Sequence, residues 1–196
     1  MQSHNPAILK HPLQPFFPPQ ARLLMLGSFP PERKRWSMDF FYPNFQNDMW
    51  RIFGLVFFEN KSHFEIADKK AFDKSAIENF LRRKNIALYD TAVSAIRTND
   101  DASDAFLEVT ETIDLATTLA ALPHCTAIAA TGKKASEIIS TLTGAKEPRL
   151  GEAAELNFAN RHLRFYRMPS SSRAYPKPLA EKAAVYAEMF RREGIL

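Results

Sequence analysis

Two short segments far apart in the chain, Leu26-Gly27-Ser28-Phe29-Pro30-Pro31 and Met168-Pro169-Ser170-Ser171-Ser172, place small polar groups directly after apolar runs with strand character. The first leads into an aromatic-rich stretch, residues 40–50, that contains the adjacent amide and carboxylate of Asn47 and Asp48. Gly27 allows close approach of backbone to a ligand, and the serines supply hydroxyls and amides. In an open α/β sheet the carboxyl ends of parallel strands surround the ligand crevice, so two proline-stiffened loops at strand ends form the halves of one site.

The elements that must position these groups follow from hydrophobic spacing. Short apolar runs at residues 22–26, 86–89, 127–130 and 161–168 read as strands, the first three as buried central ones stopped by Gly27, Asp90 and Thr131-Gly132. Helical spacing predicts helices over residues 48–57, 74–84, 113–122, 133–142 and 176–193, with Asn47 placed to cap the first. Strands alternating with helices predict an α/β fold, a three-layer α/β/α sandwich around a mostly parallel sheet of about four strands. Residues 61–70 read as loop or short helix and residues 97–103, rich in Asn and Asp, as a surface loop. Residues 1–20 carry five prolines, which resist regular structure, and form an extended arm tied down by Phe16 and Phe17.

Length and composition bound the rest. At 196 residues and 45% hydrophobic content the chain is expected to form one domain, residues 1–196, with one well-buried core. A formal charge of +4 with a pI near 9.2 suits a polyanionic partner without requiring one. Cys125 is the only cysteine, so no intramolecular disulfide framework and no four-thiolate cluster can form. His4, His11, His63, His124 and His162 lack ligand-like spacing, and no metal or organic cofactor is expected. No apolar run reaches membrane-spanning length, and a cytoplasmic location is the default.

The order of motifs resembles the uracil-DNA glycosylase superfamily, nearest its mismatch-specific and hypoxanthine-type branches. Residues 42–50 have the outline of that family's second segment, with Asn47 and Trp50 at its Asn and Trp. Residues 85–97 resemble its strand ending in an aromatic-Asp pair, Tyr89-Asp90. Ala130-Thr131-Gly132-Lys133-Lys134-Ala135 resembles its third-strand turn, and the Pro169-Ser170-Ser171-Ser172 run its last loop. The likeness extends from Arg22 to the C-terminus. Where the mismatch-specific branch has Asn in the first loop and the uracil-specific branch Asp, this chain has Ser28 and Phe29.

The resemblance implies a monofunctional glycosylase that releases a deaminated base, such as uracil or hypoxanthine, from double-stranded DNA, working as a monomer. Such an enzyme must extrude the nucleotide, clamp its base and stabilise a cationic sugar while water attacks. Asn47 is then the water-orienting residue and Asp48 a base or cation stabiliser. Their spacing alone points first to a helix cap and a first-turn dipole partner. Gly27, Ser28, Phe29, Phe41 and Tyr42 would contact the base, the aromatics by stacking or else by packing in the core. Ser170, Ser171, Ser172, Arg173 and Lys133 would grip the DNA, with Tyr175 the alternative wedge to Arg173. Asp90 is expected to hold a loop through backbone N–H groups rather than to react. Two other readings are a nucleic-acid-binding module that keeps the fold without chemistry, and a serine hydrolase using Ser28, which lacks the Gly-x-Ser-x-Gly elbow.

Overall fold

The computed structural model describes residues 7–97 and 106–196; the expected surface loop after Arg97 falls outside them. A five-stranded sheet has the order β3-β2-β6-β8-β7, built from β2 (Leu23–Gly27), β3 (Ile86–Asp90), β6 (Ala127–Ala130), β7 (Ala153–Phe158) and β8 (Arg161–Arg167). A second sheet, β1-β4-β5, joins β1 (Ile8–Lys10), β4 (Ala92–Arg97) and β5 (Leu107–Thr112) in antiparallel pairs. The four strands expected from apolar runs are all in the large sheet, mutually parallel. The fifth, β7, pairs antiparallel with β8 at the edge. Its alternation of exposed and half-buried residues, with only Leu156 buried, gives no continuous apolar run to read.

Alternating side chains divide between two cores. Leu23 and Met25 of β2 point to a cluster with α1 (Met49–Phe58), α2 (Lys74–Arg83) and α5 (Leu179–Arg192). Leu24 and Leu26 point to the opposite cluster, with α3 (Leu115–Ala120) and α4 (Lys133–Thr143). Helices thus cover both faces, which is why β2, β3 and β6 have almost no exposed residue. Asp73 caps α2 by accepting from the Ala76 N–H, and Asp114 caps α3 by accepting from Thr117. At the far end of α3 the Arg161 guanidinium donates to the carbonyls of Leu119, Leu122, Pro123 and Cys125, supplying partners that helix geometry leaves open.

The N-terminal arm departs from expectation. Between Pro6 and Pro12 it forms β1, whose residues Ile8, Leu9 and Lys10 pair with Ile96, Ala95 and Ser94 of β4. Proline is excluded from strand interiors but tolerated at their ends, so a three-residue strand fits between two of them. Phe16 does anchor the arm: it is buried and exchanges both backbone hydrogen bonds with Leu88. Residues 61–70 form turns closed by a bridge between Glu65 and Phe72.

Candidate functional site

Parallel register sets the site. Gly27 lies opposite Asp90, Leu26 opposite Ala130, and Ala130 opposite Arg167, so β2, β3, β6 and β8 all end at one edge of the sheet. The chain order reverses there: β3 lies on one side of β2 and β6 on the other, the arrangement that opens a crevice at strand ends. The loops leaving these strands enclose a cavity of about 750 Å³, within the range of about 300–1,000 Å³ for small-molecule sites. Gly27, Ser28, Phe29, Phe41, Tyr42, Asn47, Lys133, Ser170, Ser171, Ser172 and Arg173 all line it. Of the residues expected to catalyse, bind the base or grip the DNA, Asp48 alone does not.

Each wall is fixed by bonds the sequence half-reveals. Asn47 Oδ1 accepts from the Met49 N–H at 2.9 Å, although the N-cap position of α1 belongs to Asp48, and Asn47 also lines the cavity. Arg51, stacked on Phe45 and paired with Glu65, donates to the carbonyls of Phe45 and Asn47 and locks the loop. Trp50 is buried and donates its indole N–H to the Phe41 carbonyl, a packing role. Phe40 is likewise core, stacked on Trp50, whereas Phe41 and Tyr42 reach the cavity.

Tyr42 adopts φ 50°, a left-handed conformation that costs energy for a bulky side chain and clusters at functional sites. Its hydroxyl lies 2.8 Å from Thr131 Oγ1, which in turn donates to the Leu26 carbonyl, so Tyr42 is the donor to Thr131. Burial, and then the Asp90 charge, push the Tyr42 hydroxyl far above the usual phenol range, and it stays neutral at any working pH.

Asp48 sits behind the cavity wall. Its carboxylate accepts from the fully buried Lys182 at 3.0 Å and from Arg173 at 3.2 Å, and its backbone N–H donates to the Ser171 carbonyl. Lys182 also donates to the Ser172 carbonyl at 2.7 Å, and the Tyr186 hydroxyl to that of Pro169. The serine loop and the aromatic loop are therefore bound together through one buried ion pair. Lys133 is exposed and 3.4 Å from Glu137, with both residues at the rim.

Asp90 departs from its expected role. Its carboxylate accepts from His11 Nε2 at 2.9 Å, both side chains being at least nine-tenths buried, and among the described residues it accepts from no backbone N–H. The imidazole is itself anchored at Leu13 and ringed by Phe29, Phe41 and Tyr89. Sequence reasoning missed this pair because its members stand 79 positions apart and only folding of the arm joins them.

No family model and no curated protein matches the sequence. Among solved structures, the solution NMR structure of a "putative Uracil DNA glycosylase" from Methanosarcina acetivorans matches with a TM-score of 0.66. The identity is 22%, over 96% of this chain and 99% of that one. The two share a fold. At that identity the likeness extends to the architecture and not to the chemistry of individual side chains. Among the described residues, no helix is long and apolar enough to cross a membrane, and no group of three or more His, Cys, Asp or Glu could hold a metal ion.

Proposed function

We propose that the protein is a monofunctional DNA glycosylase of the uracil-DNA glycosylase superfamily, of the mismatch-specific or hypoxanthine-type kind. It would be a single three-layer α/β/α domain that releases a deaminated base from double-stranded DNA. The observation that carries this reading is the meeting of the glycine turn, the aromatic loop and the triple-serine loop around one cavity. A metal is not needed: the reaction asks for a stacking surface, a positioned water and stabilisation of a sugar cation.

The C1′–N bond breaks with its electron pair going to the base, water adds to C1′, and the departing base gains a proton as the water loses one. Phe41 and Tyr42 supply faces for the extruded base. Asn47, held in one orientation by its bond to Met49, offers its remaining Oδ1 lone pair and its N–H groups to the attacking water. Ser170, Ser172, Arg173 and Lys133 line the cavity with half-buried or exposed side chains, where phosphates flanking the extruded nucleotide would pass, while the buried Ser171 ties the loop to Asp48.

The test is base release from duplexes carrying uracil, hypoxanthine or xanthine, read as strand cleavage at the abasic product. Asn47→Ala is expected to lower turnover by about 10²-fold or more, the scale of a lost general acid–base or water-orienting group. Asn47→Ser, whose hydroxyl can still bond the Met49 N–H but is too short to meet the water, should keep the melting temperature while losing turnover. Full activity in Asn47→Ser removes Asn47 from this role. Binding of every duplex without release of any base would leave the non-catalytic module as the reading.

A further inference from the structure

The N-terminal arm is held at two points of unequal strength. Phe16 is buried and exchanges both backbone hydrogen bonds with Leu88 of β3. Ahead of it, β1 adds three residues to the rim of the small sheet, and all three are exposed, Ile8 at 59% and Leu9 at 36%. From residue 7 to residue 15 only His11 and Leu13 are not exposed. These two form a unit: His11 Nδ1 lies 2.9 Å from the Leu13 carbonyl oxygen and 3.2 Å from the Leu13 backbone nitrogen. A short edge strand with so few buried contacts opens locally at low cost, so the imidazole is what keeps this segment down.

That imidazole does not line the cavity; it stands behind three residues that do. Its side chain is 2% exposed, its ring centroid is 5.4 Å from that of Phe29 and 6.3 Å from that of Phe41, and its Nε2 is 2.9 Å from Asp90 Oδ2. The three belong to the turn after β2, the aromatic loop and the end of β3, and this one ring is a neighbour they share. Lifting it leaves a hollow behind Phe29 and Phe41 and takes from Asp90 its ion-pair partner among the described residues. Walls that lose such packing are free to shift.

We propose that residues 7–15 are a flap anchored at Phe16, which closes by seating His11 behind the cavity wall, so that docking of the arm and occupancy of the cavity form one coupled equilibrium. Whatever holds Phe29, Phe41 and Asp90 in place stabilises the closed flap, and the closed flap stabilises any occupant by the same factor. The apparent affinity of the cavity is its closed-state affinity scaled by the closed fraction. This goes beyond the glycosylase reading, because it holds for any occupant.

The test begins with hydrogen exchange of the full chain, followed by NMR with no ligand added. The His11 amide, bonded to the Val93 carbonyl, is expected to exchange at least about tenfold faster than those of Phe16 and Leu88, by local opening. Ile8→Cys with Ile96→Cys, opposite each other in register, should slow it to the level of Phe16 when oxidised and release it when reduced. Two variants disturb the cavity side alone: Gly27→Ala, which sets a methyl group 2.4 Å from Asp90 Oδ1, and Phe29→Ala, which removes a ring beside His11. Each should speed exchange at His11 by about tenfold, a usual size for coupling between sites, and leave Phe16 and Leu88 unchanged. From the arm side, Leu9→Pro removes a donor from β1 and touches no cavity residue. It should raise KM for base release about tenfold with kcat little changed, as a smaller closed fraction requires. His11→Ala should free the arm in the same way, and His11→Gln, which can still donate to Oδ2, should restore slow exchange.

Exchange of the His11 amide only with the whole chain, or at a rate indifferent to both Gly27→Ala and Phe29→Ala, overturns the flap. An unchanged KM in Leu9→Pro, with its arm exchanging freely and only the unfolding temperature lowered, makes the arm purely structural; it overturns the flap and leaves the glycosylase reading standing. Coupled exchange with no base released from any duplex keeps the flap and overturns the glycosylase reading.

Discussion

At the scale of single residues, the cavity depends on one missing side chain. Gly27→Ala would bring a methyl group against Asp90 Oδ1, and the carboxylate must swing away from both the cavity and His11. The expected outcome is a loss of about 10²-fold in base release, the scale of a 1 Å misplacement, with the far-UV circular dichroism unchanged. The glycine was legible in sequence as a tight turn at a strand end. Its actual neighbour was not, because the contact arises from the register that sets Gly27 opposite Asp90. Asn47 shows the reverse: its places beside a helix start and at the cavity both read from sequence, and one side chain bonds the Met49 N–H while lining the cavity, with Asp48 taking the N-cap position. His11 could not be found from spacing at all, since its partner is distant and its ring environment of Phe29, Phe41 and Tyr89 comes from three separate segments.

At the scale of elements, the ion pair of Asp48 and Lys182 joins the start of α1, the loop after β8 and the first turn of α5. Lys182→Ala would leave the Asp48 carboxylate buried with the half-exposed Arg173 as its remaining ion-pair partner among the described residues. A destabilisation of about 3–5 kcal/mol is expected in urea unfolding, the range for removing one partner of a buried pair. Adding Asp48→Asn to that variant should recover part of the loss, because it removes the uncompensated charge. The five helices were legible because each buries an apolar stripe, and the observed bounds fall within three residues of the expected ones. Strands buried on both faces read as unbroken apolar runs. β5, with the sequence LEVTET and one buried residue, gives no such run, so the small sheet stayed hidden. Asp48 looked like chemistry because its partner Lys182 is 134 positions away, beyond the reach of any local pattern.

For the molecule as a whole, neutral phenols hold the interior together. Burial raises the hydroxyls of Tyr42 and Tyr186 far above the usual range, and burial together with the bond to Glu193 pushes Tyr166 up to about 12. A group whose folded pKa lies above its unfolded value stabilises the fold fully below the unfolded value and ceases to do so as pH rises through the folded one. Stability should therefore be flat in these groups up to about pH 10, the ordinary phenol pKa, and fall steadily above it. Phenolate absorbance should appear together with loss of the near-ultraviolet dichroism; ionisation of all three tyrosines in a chain that remains folded would contradict the burial. Parallel sheet and two-faced covering were legible from the alternation of segments, as was the anchoring of the arm at Phe16, whereas the strand by which the arm docks on β4 was not, because prolines conceal a three-residue strand. That docking carries a kinetic consequence. The arm is synthesised long before β4 and Asp90, so its contacts close long loops, 79 positions between His11 and Asp90, and must wait for the sheet they join. A chain folded everywhere except at this leading strand would already enclose the crevice, but nothing would yet steady the carboxylate in it.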